Sequence, residues 1–366
     1  MPSNRFPMGE SIKKYLTGNE LTNLKQDLDS GIRHPNCEWC WKNEDAGMKS
    51  HRIKVPRHNR GLHSIHIRLN NVCNFSCRMC GPAFSSTWIQ ENKKHGYFYF
   101  EGDLITKDVL ANENYLFTIL KNSSLKHLSI SGGEPLITDA HYKLLTFLID
   151  NNLTGITLGY STNLSKLDYK GIDLIDLWSK FKSVNLEVSL DGWGDSVEYS
   201  RTGFNTSVFL QNFKKALKYI HTINCVVNIY SIWTLPHIEK FRDLGINIVY
   251  SPCQLPLHCN PQILMQEDKD ELFNLYKNYP ALVDVYNNFI DSSDFGFTPS
   301  EKELTTLEKK EFLSIEEMRW RMVEYNLLLD SYRNTDFFSI FPMYIKYQRL
   351  NSNSKWVPWY KFKKNE

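Results

Sequence analysis

The sequence predicts an α/β fold: a partial (β/α)6 TIM-like barrel with mainly helical or irregular extensions at both ends. Three observations carry that expectation. Six short β-like runs alternate with helical stretches between His63 and Leu255. The helical stretches space their apolar residues three and four apart. The β-like runs then stop, and the chain on either side has a different texture. The expected division is an N-terminal extension at 1–62, a barrel at 63–255 and a C-terminal extension at 256–366.

In chain order, residues 1–62 are mixed and polar, with a basic patch "HRIKVPRHNR" and one short helix expected near Glu10–Leu16. "SIHIRLNN" (64–71) alternates and reads as the first strand. The stretch 83–125 is long for one connection and is expected to hold two helices. "KHLSIS" (126–131), "GITLGYST" (155–162), "VNLEVSL" (184–190), "NCVVNIYS" (224–231) and "INIVYS" (246–251) supply five further strands. "DAHYKLLTFLIDNN" and "TSVFLQNFKKALKYIH" are the clearest intervening helices. Strand alternating with helix implies a parallel sheet built from right-handed crossovers. Residues 266–292 and 301–333 read as helical, and the end, "KWVPWYKFKKNE", is aromatic and basic.

Hydrophobic residues are 42% and charged residues 23% of the chain, an ordinary globular composition. A formal net charge of +2 argues against a dedicated nucleic-acid surface. The start, "MPSNRFPMGESIKKYL", has no apolar core of a signal peptide, and no run of ~18 apolar residues suggests a membrane span. A cytoplasmic location is expected. In that reducing compartment eight cysteines are more often metal ligands or reactive groups than disulfides.

The chemistry concentrates in "NVCNFSCRMCGP" (71–82), directly after the first strand, where Cys73, Cys77 and Cys80 share one loop. Functional loops of a parallel barrel sit at the C-terminal ends of its strands. Three thiolates can hold three irons of a cubane cluster and leave the fourth open to a ligand. The alternative is a structural zinc site, which usually takes four protein ligands in two close pairs and fits this spacing poorly. The second strand ends in "SISGGEPL" (129–136). Gly132 and Gly133 allow a tight turn with close backbone approach, Glu134 adds a carboxylate and Pro135 fixes the exit. Carbonyls beside a carboxylate suit an ammonium group.

CNFSCRMC followed by GGEP resembles the radical S-adenosylmethionine (radical SAM) enzymes. The resemblance implies a [4Fe-4S] cluster on Cys73, Cys77 and Cys80, with S-adenosylmethionine chelating the open iron and its amino group held by GGEP. Met79 stands where that superfamily usually has an aromatic residue, and methionine can still pack against an adenine face. The resemblance extends to later strand ends. Thr162 and Asn163 close the third strand, Ser189 to Gly192 ("SLDG") the fourth, and Asn228 and Ser231 the fifth. In similar enzymes these positions touch the cofactor or the substrate. It implies Ser189 on the cofactor, Asp191 on cofactor or substrate, and Arg201 paired with the methionyl carboxylate. The plain alternative for each is a loop-capping polar residue. Cys225 reads as a small buried hydrophobe inside a strand.

Four cysteines remain: Cys37 and Cys40 in "HPNCEWCWKNEDAG", and Cys253 and Cys259 in "SPCQLPLHCNP". Together they offer the ligands of one auxiliary site, a second [4Fe-4S] cluster in preference to zinc, or they are four unrelated thiols. "PNCEWCWKNEDAGMKSHR" and "LLLDSYRNTDFFSIFP", with Asp330, Arg333, Phe337 and Pro342, resemble the twitch-domain group related to the SPASM peptide-modifying enzymes. The implied activity is reductive cleavage of S-adenosylmethionine to a 5′-deoxyadenosyl radical, which abstracts hydrogen from a peptide or protein side chain. The implied partner is a one-electron donor such as flavodoxin or ferredoxin. Rival expectations are a nucleoside or small-metabolite substrate, and a non-catalytic iron–sulfur binding module.

Overall fold

Alternation along the strands sets the layers. The computed structural model describes residues 18–45, 47, 50, 53, 62–96, 113–291 and 315–349. The helix expected near Glu10–Leu16, residues 301–314 and the basic tail lie outside them. Two helices precede the sheet, α1 (Asn19–Asp29) and α2 (Glu38–Asp45). The strands are β1 (Ser64–Arg68), β2 (His127–Ser131), β3 (Thr157–Thr162), a two-residue hairpin β4 (Asp168–Tyr169) and β5 (Ile172–Asp173), β6 (Ser183–Ser189), β7 (Ile220–Val227) and β8 (Asn247–Pro252). Six of them form one sheet in the order β1-β2-β3-β6-β7-β8, every neighbouring pair parallel. This is the expected six-strand barrel segment, with helices on its outer side.

The outer face is apolar because every second residue is. Ile67, Leu128, Leu158, Val184, Val188, Ile223 and Cys225 are buried there. Connecting α3 (Ser86–His95), α4 (Glu113–Asn122), α5 (Asp139–Asp150), α6 (Leu174–Trp178), α7 (Asp195–Ser200), α8 (Thr206–Ala216) and α9 (Leu235–Glu239) follow the strands. Leu144, Leu145 and Leu148 of α5 and Phe209 and Phe213 of α8 join the same core. The stretch 83–125 does contain two helices, α3 and α4.

Two boundaries differ from expectation. The helix expected over 206–221 ends at Ala216, and β7 runs from Ile220 to Val227 instead of 224–231. Phe213, Ala216 and Ile220 keep apolar residues at helical spacing, so the helical period in the sequence runs on where the chain has already turned into a strand. A register shift beside Leu186/Glu187 absorbs the extra residue of β7. Asn228 to Ser231 therefore lie in the loop beyond β7. Residues 266–292 are helical as expected, in separate pieces: α10 (Gln266–Tyr276) stops, and α11 (Pro280–Val285) starts with proline in its first turn.

After the sheet, α12 (Ile315–Arg333) and α13 (Phe337–Ile340) return to the top of the barrel. Phe341 meets Tyr199 edge-on and Tyr230 at a tilt, with ring centroids 5.5 and 5.8 Å away, and Phe337 stacks on Tyr199 at 6.0 Å. The C-terminal extension thus shares one core with the strand-end loops.

Candidate active site

The cysteine loop leaves β1 and is held from four sides. Toward β2, the Gly133 amide donates to the Asn70 carbonyl (2.9 Å) and the Glu134 amide to that of Val72 (2.7 Å). Toward α3, the Thr87 hydroxyl donates to the Cys73 carbonyl (2.5 Å) and the Trp88 indole to that of Cys77 (2.9 Å). Toward the end of α7, the Ser76 amide donates to Thr202 (3.0 Å) and the Arg78 amide to Ser200 (2.7 Å). From α12, the Tyr325 hydroxyl donates to the Arg78 carbonyl (2.8 Å).

Arg78, between Cys77 and Cys80, is completely buried. Its Nη2 donates to Asp330 (2.6 Å) and Thr335 (2.9 Å), its Nη1 to Asn326 (3.0 Å) and its Nε to the Tyr199 carbonyl (3.2 Å). Its guanidinium lies 3.6 Å from the Tyr199 ring centre. Asp330 also accepts from Tyr199 (3.0 Å) and from the Phe337 amide (2.6 Å). One turn along, Arg333 forms a two-pronged bridge to Glu91 of α3 (2.8 and 2.7 Å). The C-terminal helix therefore clamps the cysteine loop and the helix that follows it.

Three thiols share this loop. Burial pushes Cys73 up to about 11 and Cys77 up to about 12, and raises Cys80 as well. Arg201 opposes that rise at all three. Burial works against the Arg201 charge, but Asp191 and the thiols hold it above its ordinary value. Its Nε donates to Asp191 (2.7 Å) and its Nη1 to the Ser189 carbonyl (3.1 Å). Asp191 also accepts from the Val226 amide (2.9 Å), which ties the end of β6 to β7. Among the described residues, no three His, Cys, Asp or Glu side chains converge on a single-ion position. Met79 is half-buried in the loop and packs on the core.

The GGEP turn is fitted against the cysteine loop. A Cβ on Gly133 would stand 2.3 Å from the Val72 carbonyl oxygen, and one on Gly132 2.7 Å from that of Asn70. Here the glycines permit contact between two loops. Pro135 is buried and opens a short turn capped by Glu134. The Glu134 carboxylate, also buried, accepts from the Leu136 amide (3.0 Å), the Thr162 hydroxyl (2.7 Å) and the Asn163 amide (2.6 Å). Asn163 in turn donates to Asn74, inside the cysteine loop (3.1 Å). Thus hydrogen bonds across the ends of β1, β2 and β3 tie the cysteine loop to the Glu134 carboxylate.

Residues 67–244 match the family model described as the radical SAM superfamily. That match covers just under half of the chain. No curated protein matches the chain. Among solved structures, the chain is similar to Streptococcus suis SuiB bound to S-adenosylmethionine, at 17% identity over 74% of this chain and 59% of that one, with a TM-score of 0.41. It is also similar to SuiB bound to its precursor peptide SuiA, at 14% identity over 68% and 60%, with a TM-score of 0.39. The chain spans about three-fifths of those proteins.

Ser189 is half-buried, and its hydroxyl makes no hydrogen bond among the described residues. Asn228 is fully buried and spends its side chain on its own turn. It accepts from the Tyr230 and Ser231 amides (2.9 and 3.1 Å) and donates to the Val226 carbonyl (2.8 Å). Ser231 bonds back to the Asn228 amide (2.9 Å). Cys37 and Cys40 are half-buried at the start of α2, whereas Cys253 and Cys259 are buried beyond β8. The Cys259 thiol contacts the Tyr230 hydroxyl (3.7 Å) and the Cys253 thiol the Leu255 carbonyl (3.5 Å). Sequence reasoning missed Arg78, Asn326 and Tyr199. An arginine within a cysteine loop is the one local signal for them.

Glu134 gives a pH prediction. Burial raises its carboxyl from 4.5 to about 7 despite its hydrogen bonds. A folded value above the unfolded one favours the protonated fold. The stability this group contributes is full below pH ~4.5 and is lost as pH rises to ~7, on the order of 3 kcal/mol in all. Glu134→Gln is expected to flatten denaturant stability across that window in the cofactor-free protein. An unchanged slope would contradict the assignment.

Proposed function

We propose that this chain is a radical SAM enzyme that reductively cleaves S-adenosylmethionine and abstracts hydrogen from a peptide or protein side chain. The observation that carries the reading is the hydrogen-bonded tie between the three-cysteine loop and Glu134 across the ends of β1, β2 and β3. Cys73, Cys77 and Cys80 would hold a [4Fe-4S] cluster, and the donor set fits: three soft ligands in one loop with a cation, Arg201, close by. When bound, the cluster and S-adenosylmethionine supply a one-electron source and a hydrogen-abstracting carbon radical.

The protein's own part is positional. Glu134 presents a carboxylate to the methionyl amine, while Thr162 and Asn163 hold that carboxylate in place. Arg201, fixed by Asp191, offers its remaining N–H groups to the methionyl carboxylate. Ser189 offers a hydroxyl at the ribose level, and Met79 an apolar surface. Asn228 holds the β7 loop in shape. The peptide part of the reading rests on the sequence resemblance to the twitch and SPASM group. A flavodoxin- or ferredoxin-type donor in the cytoplasm would supply the electron. Among the described residues, no helix is long and apolar enough to cross a membrane.

Iron and sulfide counted per chain after anaerobic reconstitution test the ligand set. About four irons correspond to the loop cluster alone; about eight correspond to a second cubane on Cys37, Cys40, Cys253 and Cys259. Cys73→Ala is expected to remove the loop cluster's visible absorbance and all reductive cleavage. Full iron content in that variant would disprove the assignment.

A further inference from the structure

The inner face of the sheet lines a half-open cavity of about 440 Å³ below the cysteine loop. Its lining alternates with the apolar outer face and is polar: His66, Ser129, Asn185, Glu187, His221 and Thr222 all contribute. The register explains why. Ser129 pairs with His66 on one side and with Gly159 on the other, and Gly159 pairs with Asn185, so these four residues share one row. Gly159 puts no side chain into the middle of that row, where a Cβ would press on the Ser129 hydroxyl at 3.1 Å. Glu187 stands in the next row up, paired with Ser161 and Thr222.

Glu187 is the sole carboxylate among the lining residues. It is half-buried, and its Oε1 accepts from the Asn224 amide (2.7 Å). Oε2 makes no hydrogen bond among the described residues. The inner-face cation nearest in sequence to His66, Arg68, has its guanidinium 5.0 Å from the Phe84 ring centre. The His66 ring shares a 2.7 Å hydrogen bond with the Ser131 hydroxyl. Burial, then Arg68, lower its pKa, which keeps it neutral near pH 7. A fixed, partly desolvated carboxylate with one open oxygen therefore faces a polar cavity.

We propose that Glu187 anchors a cationic group, an ammonium or guanidinium, at the far end of the substrate side chain. This rests on the reading that the radical SAM domain modifies a peptide. Ser189 is two residues further along β6, which places its level about 7 Å above Glu187 at ~3.3 Å per strand residue. That rise is close to the length of a long basic side chain. With its charge on Glu187, such a side chain would carry its aliphatic carbons up toward the thiol loop. Glu187 is thus a specificity-determining residue: it fixes which side chain enters and how deeply.

The test uses full-length protein and four fluorescein-labelled, glycine-rich octapeptides with a single central Lys, Arg, norleucine or Glu, titrated by fluorescence anisotropy. Wild-type protein is expected to bind the Lys and Arg peptides at least ~10-fold more tightly than the norleucine peptide, as for a charge-assisted hydrogen bond. Glu187→Gln, which keeps the Asn224 contact, is expected to abolish that preference, and Glu187→Lys to shift it to the Glu peptide. Equal or undetectable binding of all four by wild-type protein overturns the proposal, as does a Lys preference that survives in Glu187→Gln. The wild-type comparison decides even if a variant fails to fold. Cleavage of S-adenosylmethionine by wild-type protein is measured separately. Its absence alongside a Lys preference would sink the enzyme reading and leave the anchor standing.

Discussion

Replacing Arg78 with methionine is expected to destabilise the protein by about 3–5 kcal/mol and to cost it most of its iron. Arg78 is fully buried, and Asp330 is only 8% exposed, so its charge would be left buried without a cationic partner. Asp330 would keep its bonds from Tyr199, Thr335 and the Phe337 amide, but hydrogen bonds alone do not neutralise a buried charge. The cysteine loop would lose its tie to α12 in the same step, because Arg78 lies between two of the three thiols. Asp330→Asn keeps the hydrogen-bonding shape without the charge, and a smaller loss is expected. Urea denaturation and iron content after reconstitution measure both effects. Wild-type stability in Arg78→Met would show that the clamp contributes nothing.

Gly133→Ala is expected to lower reductive cleavage of S-adenosylmethionine about 100-fold, the scale of loss that follows a 1 Å misplacement of reacting groups. The added carbon would lie 2.3 Å from the Val72 oxygen and 2.6 Å from its carbonyl carbon, and both are backbone atoms. No side-chain rotation relieves that contact. The β1 loop must move, and Cys73 follows directly after Val72. The same movement strains the Glu134 amide bond to Val72 (2.7 Å), so the thiol loop and the carboxylate lose their alignment together. Gly155→Ala is the matched control, since a Cβ there meets nothing within 4 Å. Cleavage by Gly133→Ala equal to that of the control would show that the loop contact is not needed.

The parts that sequence revealed are those with local period or fixed spacing. Strand alternation exposed the sheet because one face is apolar and packed while the other is polar. Its error at β7 arose where Phe213, Ala216 and Ile220 kept a helical spacing into a strand. The cysteine loop and GGEP were legible as short strings, and the close approach expected of the glycines exists, although its partner is the cysteine loop backbone. The clamp was not legible. Arg78 and Asp330 are 252 positions apart, and α12 turns Arg319, Asn326 and Asp330 toward bonded partners, which breaks any simple apolar stripe. The strand reading of "VNLEVSL" does not single out Glu187, which shares the inner face with Asn185 and Ser189. Its meaning depends on the curvature of neighbouring strands, which no local pattern carries.

The central claim is that Cys73, Cys77, Cys80 and Glu134 together hold a cluster and S-adenosylmethionine for reductive cleavage. The most direct measurement is 5′-deoxyadenosine released when the anaerobically reconstituted protein is incubated with S-adenosylmethionine and dithionite. Formation that depends on all three loop cysteines and on dithionite is the expected result. A protein with a full complement of iron that releases none would contradict the claim.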